Sequence, residues 1–204
     1  MDIIEKTIHN LKRNKIKSRL FISAENVIDS LETLINNGSK VGVGDSVTLE
    51  TLGIYNYLRS RNILFLDKYD PSLQKEQKKD LYIQNFSADF FIASANAITS
   101  TGKIYNLDGN GSRVAPMIYG PKKVILICGV NKIVATDADA INRIEERAAP
   151  LDAKRLEKNT PCVRTGTCAH CKSIDKICNY YTIIQGQFDP NRIEVWFIQG
   201  DYGY

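Results

Sequence analysis

The segment 123–128, K-V-I-L-I-C, constrains the fold more than any other part of the chain. After its first lysine it has no polar residue and therefore no face to give to water. As a strand it must be covered on both sides, which is how parallel sheets are buried. Further strands are expected at 40–43, 62–66, 88–95 (A-D-F-F-I-A-S-A), 103–107, 180–184 and 193–198. Between them the spacing of apolar residues predicts helices. One is a leading amphipathic helix over 2–17. A second runs over 24–37 behind Ser23, with Val27, Ile28, Leu31, Leu34 and Ile35 on one face and Gly38 as the stop. A third covers 47–60, and a polar helix opens at Asp70-Pro71 and runs to about 86. A last one starts at Asp137, turns Ile141 and Ile144 inward and ends at Pro150. Strands alternating with helices predict an α/β fold with a mainly parallel sheet and helices on both faces. Residues 1–204 read as a single domain, with 150–179 as a cysteine-rich excursion from the layering.

The balance of charge excludes one class of partner. With 27 basic and 23 acidic residues the formal net charge is +4, and no basic run is interleaved with aromatic residues, so nucleic acid is not expected. Lys12, Arg13, Lys15, Lys17 and Arg19 cluster and read as a solvated helix face. No apolar run reaches the roughly 20 residues that span a bilayer, so no membrane partner is expected. The opening M-D-I-I-E-K lacks the apolar stretch of a secretory signal, and the expected location is the cytoplasm.

Where the strand at 40–43 hands over to the next helix the sequence is V-G-V-G-D-S-V-T. Glycines there let a ligand approach the backbone, a helix N-terminus offers N–H donors, and hydroxyls add more. Gly42, Gly44, Asp45, Ser46 and Thr48 are therefore candidate ligand-binding residues. The loop lacks the G-K-[ST] of a Walker A loop, and Val47 stands where a dinucleotide fingerprint has its third glycine. The competing reading is a tight turn with Ser46 as a plain N-cap. Position favours the ligand, because open α/β sheets bind at the carboxyl ends of their strands. A second polar stretch, N-L-D-G-N-G-S-R at 106–113 with Asn96 ahead of it, is a candidate facing wall. There Asp108, Gly109 and Asn110 are turn residues with ligand potential. Arg113 offers a planar fork for a carboxylate or phosphate.

Cys162, Cys168, Cys171 and Cys178 follow the spacing C-x5-C-x2-C-x6-C. Four thiols so close in a cytoplasmic chain read as a metal site, since disulfides are disfavoured in a reducing compartment. Zinc and a 4Fe–4S cluster both accept four thiolates, and the spacing does not choose between them. Disulfides or free thiols are the alternatives. His170, inside the C-x2-C pair, is expected to face solvent, and Cys128 to be an inert core residue.

Taken in order, V-G-V-G-D-S-V-T-L-E-T-L-G at 41–53, A-D-F-F-I-A-S-A-N-A-I-T at 88–99, G-K-I-Y-N-L-D-G-N-G-S-R-V-A at 102–115 and Y-G-P-K-K-V-I-L-I-C-G-V-N-K-I-V at 119–134 resemble the LUD domain family, named for lactate utilization proteins. The stretch A-A-P-L-D-A-K-R-L at 148–156 before the cysteines resembles its short, cysteine-bearing branch. The resemblance covers about residues 20–204. It implies a fold similar to glucosamine-6-phosphate deaminase, ribose-5-phosphate isomerase and CoA-transferases, and a phosphate-, carboxylate- or CoA-like anion as ligand. No catalytic glutamate of a CoA-transferase is matched. It also implies a redox-associated role in hydroxy-acid (lactate) oxidation beside redox partner proteins. The alternative is a small-molecule enzyme or sensor for a phosphorylated or CoA-linked ligand, with a structural zinc.

Overall fold

The computed structural model describes residues 1–204. Ten strands form two sheets: β1 (Lys17–Phe21), β2 (Lys40–Val43), β3 (Leu64–Leu66), β4 (Phe90–Ala93), β5 (Ala97–Thr99), β6 (Ile104–Asp108), β7 (Lys123–Gly129), β8 (Ile133–Val134), β9 (Tyr180–Ile184) and β10 (Ile193–Ile198). The larger sheet has the order β1-β10-β7-β4-β2-β3, and every pairing in it is parallel. The apolar run of β7 lies near its middle and feeds two cores by alternation. Val124, Leu126 and Cys128 point to one face, and Ile125 and Ile127 to the other.

Helices Ala24–Leu34, Val47–Thr51 and Ile54–Arg59 cover one face through Val27, Leu31, Leu49, Ile54 and Leu58. The other face meets the helix Ile3–Arg13 through Leu11, and also the second sheet through Ile98, Ile104 and Ile184. Helices thus flank the main sheet on both faces as expected, with a further layer that the sequence pattern did not show. The second sheet, β8-β5-β6-β9, is mixed, with β6 antiparallel to β5 and to β9. Its far side packs on Ala140 and Ile144.

Several boundaries differ from the sequence expectation, each for a physical reason. The leading helix stops at Arg13, Lys15 takes a left-handed φ of 60°, and Lys17–Phe21 is an edge strand. Its charges read as helix surface, yet edge strands carry such charges to discourage further pairing. Arg19 there pairs with Glu194 at 2.7 Å and lies over the Trp196 ring, so the basic cluster is only partly a helix face. The segment 47–60 is two helices, broken at Gly53 with φ 70°. The polar helix begins at Lys75, behind Gln74, rather than at Pro71.

The last long helix is capped by Thr136, not Asp137, and Pro150 does not end it. A π turn at Ile144–Ala148 lets the Ala149 N–H reach back to the Ile144 carbonyl, and the rod continues to Arg155. The widened turn places the missing proline N–H where the hydrogen-bond register is already changing. Ile144 is buried as expected, but Ile141 is 40 % exposed. No helix is long and apolar enough to cross a membrane.

Candidate functional site

The connections from β2 and β4 leave in opposite directions, β2 to the edge strand β3 and β4 to β7 on the other side. Such a switch point parts the loops above neighbouring strands and opens a crevice at their carboxyl ends. A cleft of about 410 Å³ occupies that place. Its floor comes from the residues that follow β2 (Asp45 to Thr48), β4 (Ser94 to Asn96), β7 (Lys132) and β10 (Gly203, Tyr204). One wall is the turn after β6, with Asp108, Gly109, Asn110 and Arg113. The opposite wall combines Lys68, Tyr82, Asp152 and Arg155 with Asp175, Lys176 and Ile177 of the cysteine-bearing excursion. The structure thus brings together Asp45, Ser46, Thr48, Asn96, Asp108, Gly109, Asn110 and Arg113, as the sequence suggested.

The chemistry of those residues is more structural than the motif implied. Gly42 and Gly44 do not line the cleft. A Cβ on Gly42 would lie 2.1 Å from Asn85 Oδ1, and one on Gly44 would lie 2.9 Å from Ala93 Cβ and from Arg113 Cγ. Their small size serves packing between strands and the passage of Arg113. Ser46 caps the five-residue helix after it, accepting the Leu49 N–H at 3.3 Å. Its own N–H donates to the Tyr55 hydroxyl, which donates in turn to the turn's carbonyls. Asp45 accepts from Tyr69 Oη at 2.7 Å and from Arg155 Nη2 at 3.0 Å. Burial raises its pKa, but Lys68, Tyr69 and Arg155 outweigh that and hold the carboxyl below its ordinary value.

The Arg113 fork is turned into the protein. Nη1 donates to Ser94 O and Asn106 Oδ1, and Nη2 to Asn96 Oδ1 and Leu107 O, at 2.8 to 3.1 Å. Asp108 closes the turn by accepting the N–H groups of Asn110, Gly111 and Arg113. Asn96 is likewise occupied by Leu107 N–H and Arg113, and Asn110 caps Ser112. Together these groups rivet the turn after β6 to the end of β4.

Lysines that the sequence analysis did not single out as ligand candidates supply the free functional groups. Lys132 is 3 % exposed, and its Nζ donates to Thr48 Oγ1 at 2.8 Å and to Ser94 Oγ at 3.1 Å, with no carboxylate partner. Burial lowers its pKa to about 8; the nearby charges of Arg143 and Arg113 push the same way and Cys128 opposes them. Lys68 lies 5.1 Å over the Tyr69 ring without an ion pair, and burial lowers its pKa too, against the pull of Asp45. Every carboxylate lining the cleft already has a cation: Asp45 and Asp152 have Arg155, Asp108 has Arg113, and Asp175 has Lys158. Lys68, Lys132 and Lys176 are left unmatched. Lys132 follows the clearest strand in G-V-N-K, so applying the carboxyl-end rule to every strand, and not only to the glycine-rich turn, was the available signal.

Cys162, Cys168, Cys171 and Cys178 are free, partly buried thiols. No three His, Cys, Asp or Glu side chains in this structure converge as a metal ion would require. His170, with φ 45°, sends its N–H towards Cys168 Sγ at 3.4 Å, and its ring faces solvent. Cys178 is close enough to Cys168 and Cys171 to feel their charge; burial first, and those neighbours second to the opposing Lys176, raise its pKa. Cys128 is buried as expected, but it lies directly under the cleft floor, accepting the Ala95 N–H at 3.3 Å.

A model of the LUD domain matches residues 4–198. The chain belongs to the LUD domain family. Among solved structures, this LUD domain is similar to a DUF162 family protein from Deinococcus radiodurans. The identity is 14 %, the TM-score 0.53, and the match covers 97 % of this chain and 95 % of that one. Over about half the chain there is weaker likeness to two others. Ribose 5-phosphate isomerase A from Methanocaldococcus jannaschii shows 14 % identity and a TM-score of 0.36, over 57 % of this chain and 56 % of that one. The decarboxylase AibA/AibB shows 16 % identity and 0.36, over 52 % and 58 %. No curated protein matches the sequence. In the LUD domain described here, the matched region contains the whole sheet and the carboxyl-end cleft apart from Gly203 and Tyr204.

Proposed function

We propose that this LUD domain takes part in oxidation of a small hydroxy acid such as lactate, holding an organic anion in the carboxyl-end cleft. One observation carries the reading: the carboxylates of the cleft are all paired, while Lys68, Lys132 and Lys176 are not. A cleft with surplus cations and buried hydroxyls attracts a carboxylate or phosphate and favours it over neutral ligands. Thermal shift with lactate, pyruvate, inorganic phosphate and CoA tests it. An occupied site at 100 times the Kd adds about 2.7 kcal/mol of stability. At least one anion should raise the melting temperature in the wild type and fail to do so in Lys68→Met. A flat response to all four overturns the reading.

A second part of the proposal concerns the excursion, favoured by the His170 N–H directed at Cys168 and the nearness of Cys168, Cys171 and Cys178. Cys162, Cys168, Cys171 and Cys178 would ligate either a 4Fe–4S cluster, serving electron transfer to redox partner proteins, or a zinc ion that pins the cleft wall. Metal analysis and the absorbance spectrum of protein purified without air separate the two. Protein holding neither iron nor zinc overturns the metal site and leaves the anion site standing.

A further inference from the structure

Lys132 differs from the arginines at the cleft and, among its unpaired lysines, is the buried one. Arg113 and Arg155 are held by carboxylates, whereas the Lys132 ammonium has only the hydroxyls of Thr48 and Ser94 as partners. Burying an ammonium without a counter-ion is expensive, and such a group responds by giving up its proton. A pKa of about 8 leaves about a tenth of it neutral at pH 7. A neutral primary amine on the floor of a cleft is a nucleophile towards carbonyl carbon.

Its surroundings hold it in place. A Cβ added to Gly203 would meet Thr48 Oγ1 at 2.5 Å and Lys132 Nζ at 3.3 Å, so the backbone closes tightly over this pair. Ser94 and Thr48 stand on two sides of Nζ at hydrogen-bond distance, placed to relay protons. Lys68 gives the same cleft a second unpaired cation.

We propose that Lys132 forms a covalent imine with a 2-oxo acid, Nζ attacking the carbonyl carbon in a cleft whose unpaired lysines draw in the carboxylate. The proposal rests on the reading of the cleft as an anion site, and takes as ligand the oxidised counterpart of a hydroxy acid. The neutral nitrogen adds its lone pair to the carbonyl carbon, and the π pair moves to oxygen. One proton passes from nitrogen to that oxygen through Ser94 or Thr48, giving a carbinolamine. The nitrogen then forms the C=N bond as its second proton leaves with the hydroxyl. One water is released, both hydrogens of the amine depart with the oxygen, and neither oxidant nor reductant is consumed.

Reductive trapping tests this. The full chain is incubated with pyruvate and sodium cyanoborohydride, digested, and mapped by mass spectrometry, with lactate and inorganic phosphate as probes that carry no carbonyl. One reduced adduct at Lys132 is expected, at least about ten-fold above any other lysine. Lys132→Arg, which keeps the charge, should abolish it, and Ser94→Ala should slow its appearance about ten-fold or more. Mapping of the wild type decides the point even if a variant does not fold. Adducts spread evenly over surface lysines overturn the imine. A thermal shift with pyruvate and no adduct at Lys132 overturns the imine and keeps the anion site. Neither shift nor adduct overturns both.

Discussion

The floor and the outer wall of the cleft are built on opposite principles. The floor, at the ends of β2, β4 and β7, is buried, and nearly every polar atom in it has a partner inside the protein. The wall at 156–179 has little regular structure beyond the short helix Pro161–Thr165. A few bonds tie it down, such as Cys168 N–H to Glu145 O and Asn179 N–H to Asp108 O. Substitutions in the floor therefore act on folding and binding together, whereas substitutions in the wall leave the fold intact. The floor also contains an exception to its own rule in Lys132, whose charge no carboxylate balances.

The sharpest test of that contrast is Arg113→Ala. It strips partners from Ser94 O, Asn106, Asn96 and Leu107 O and leaves Asp108 with an uncompensated charge. Loss of about 3 to 5 kcal/mol is expected in denaturant unfolding. Lys recovers little of it, since an ammonium cannot serve four acceptors in one plane.

Lys132→Met should move stability the other way while removing anion binding. The folded-state pKa of about 8 lies below the ordinary lysine value of 10.5. The unfolded chain therefore binds more protons between those values, and stability rises as pH climbs from about 8 to about 10.5. Below about pH 8 the full penalty applies, on the order of 3 kcal/mol. In Lys132→Met that rise should shrink, and the gain in stability over wild type at pH 7 should fade towards about pH 10.5. A variant less stable than wild type at neutral pH would show that the lysine is held by something other than its two hydroxyls.

Gly44→Ala comes next, at about 1 to 3 kcal/mol, because the new methyl meets Ala93 Cβ and Arg113 Cγ at 2.9 Å. Equal stability and unchanged ligand response would mean that the glycine answers to neither packing nor ligand. The smallest effect belongs to the wall. Cys178→Ser in metal-free protein should change stability by no more than about 0.5 kcal/mol. A metal-loaded preparation should lose the metal with the same substitution, and a large effect without metal would make the wall part of the fold.

The division between what could be read and what could not follows from the range of the interactions. The apolar run of β7, the Ser23 cap and the turn after β6 are local patterns, and all were legible, whereas the helix behind Ser23 ends at Leu34 and not at Gly38. Edge strand β1, with its charged residues, and the two-residue β8 were not legible, because such short or polar strands are defined by their neighbours rather than by their own residues. Pro150 misled because a π turn at Ile144–Ala148 absorbed it.

By itself, then, the sequence determined the α/β class, the parallel sheet and the polar loops at 41–48 and 106–113, since alternation, caps and turn residues act over a few positions. Only the tertiary structure decided what those loops do. It turned Arg113 inward and gave Gly42 and Gly44 to packing. It joined Thr48, Ser94 and Lys132, which are separated by 84 and 38 residues from the lysine, into one cluster. Whether a buried cation is paired depends on distances between side chains remote in sequence, and no local pattern encodes them.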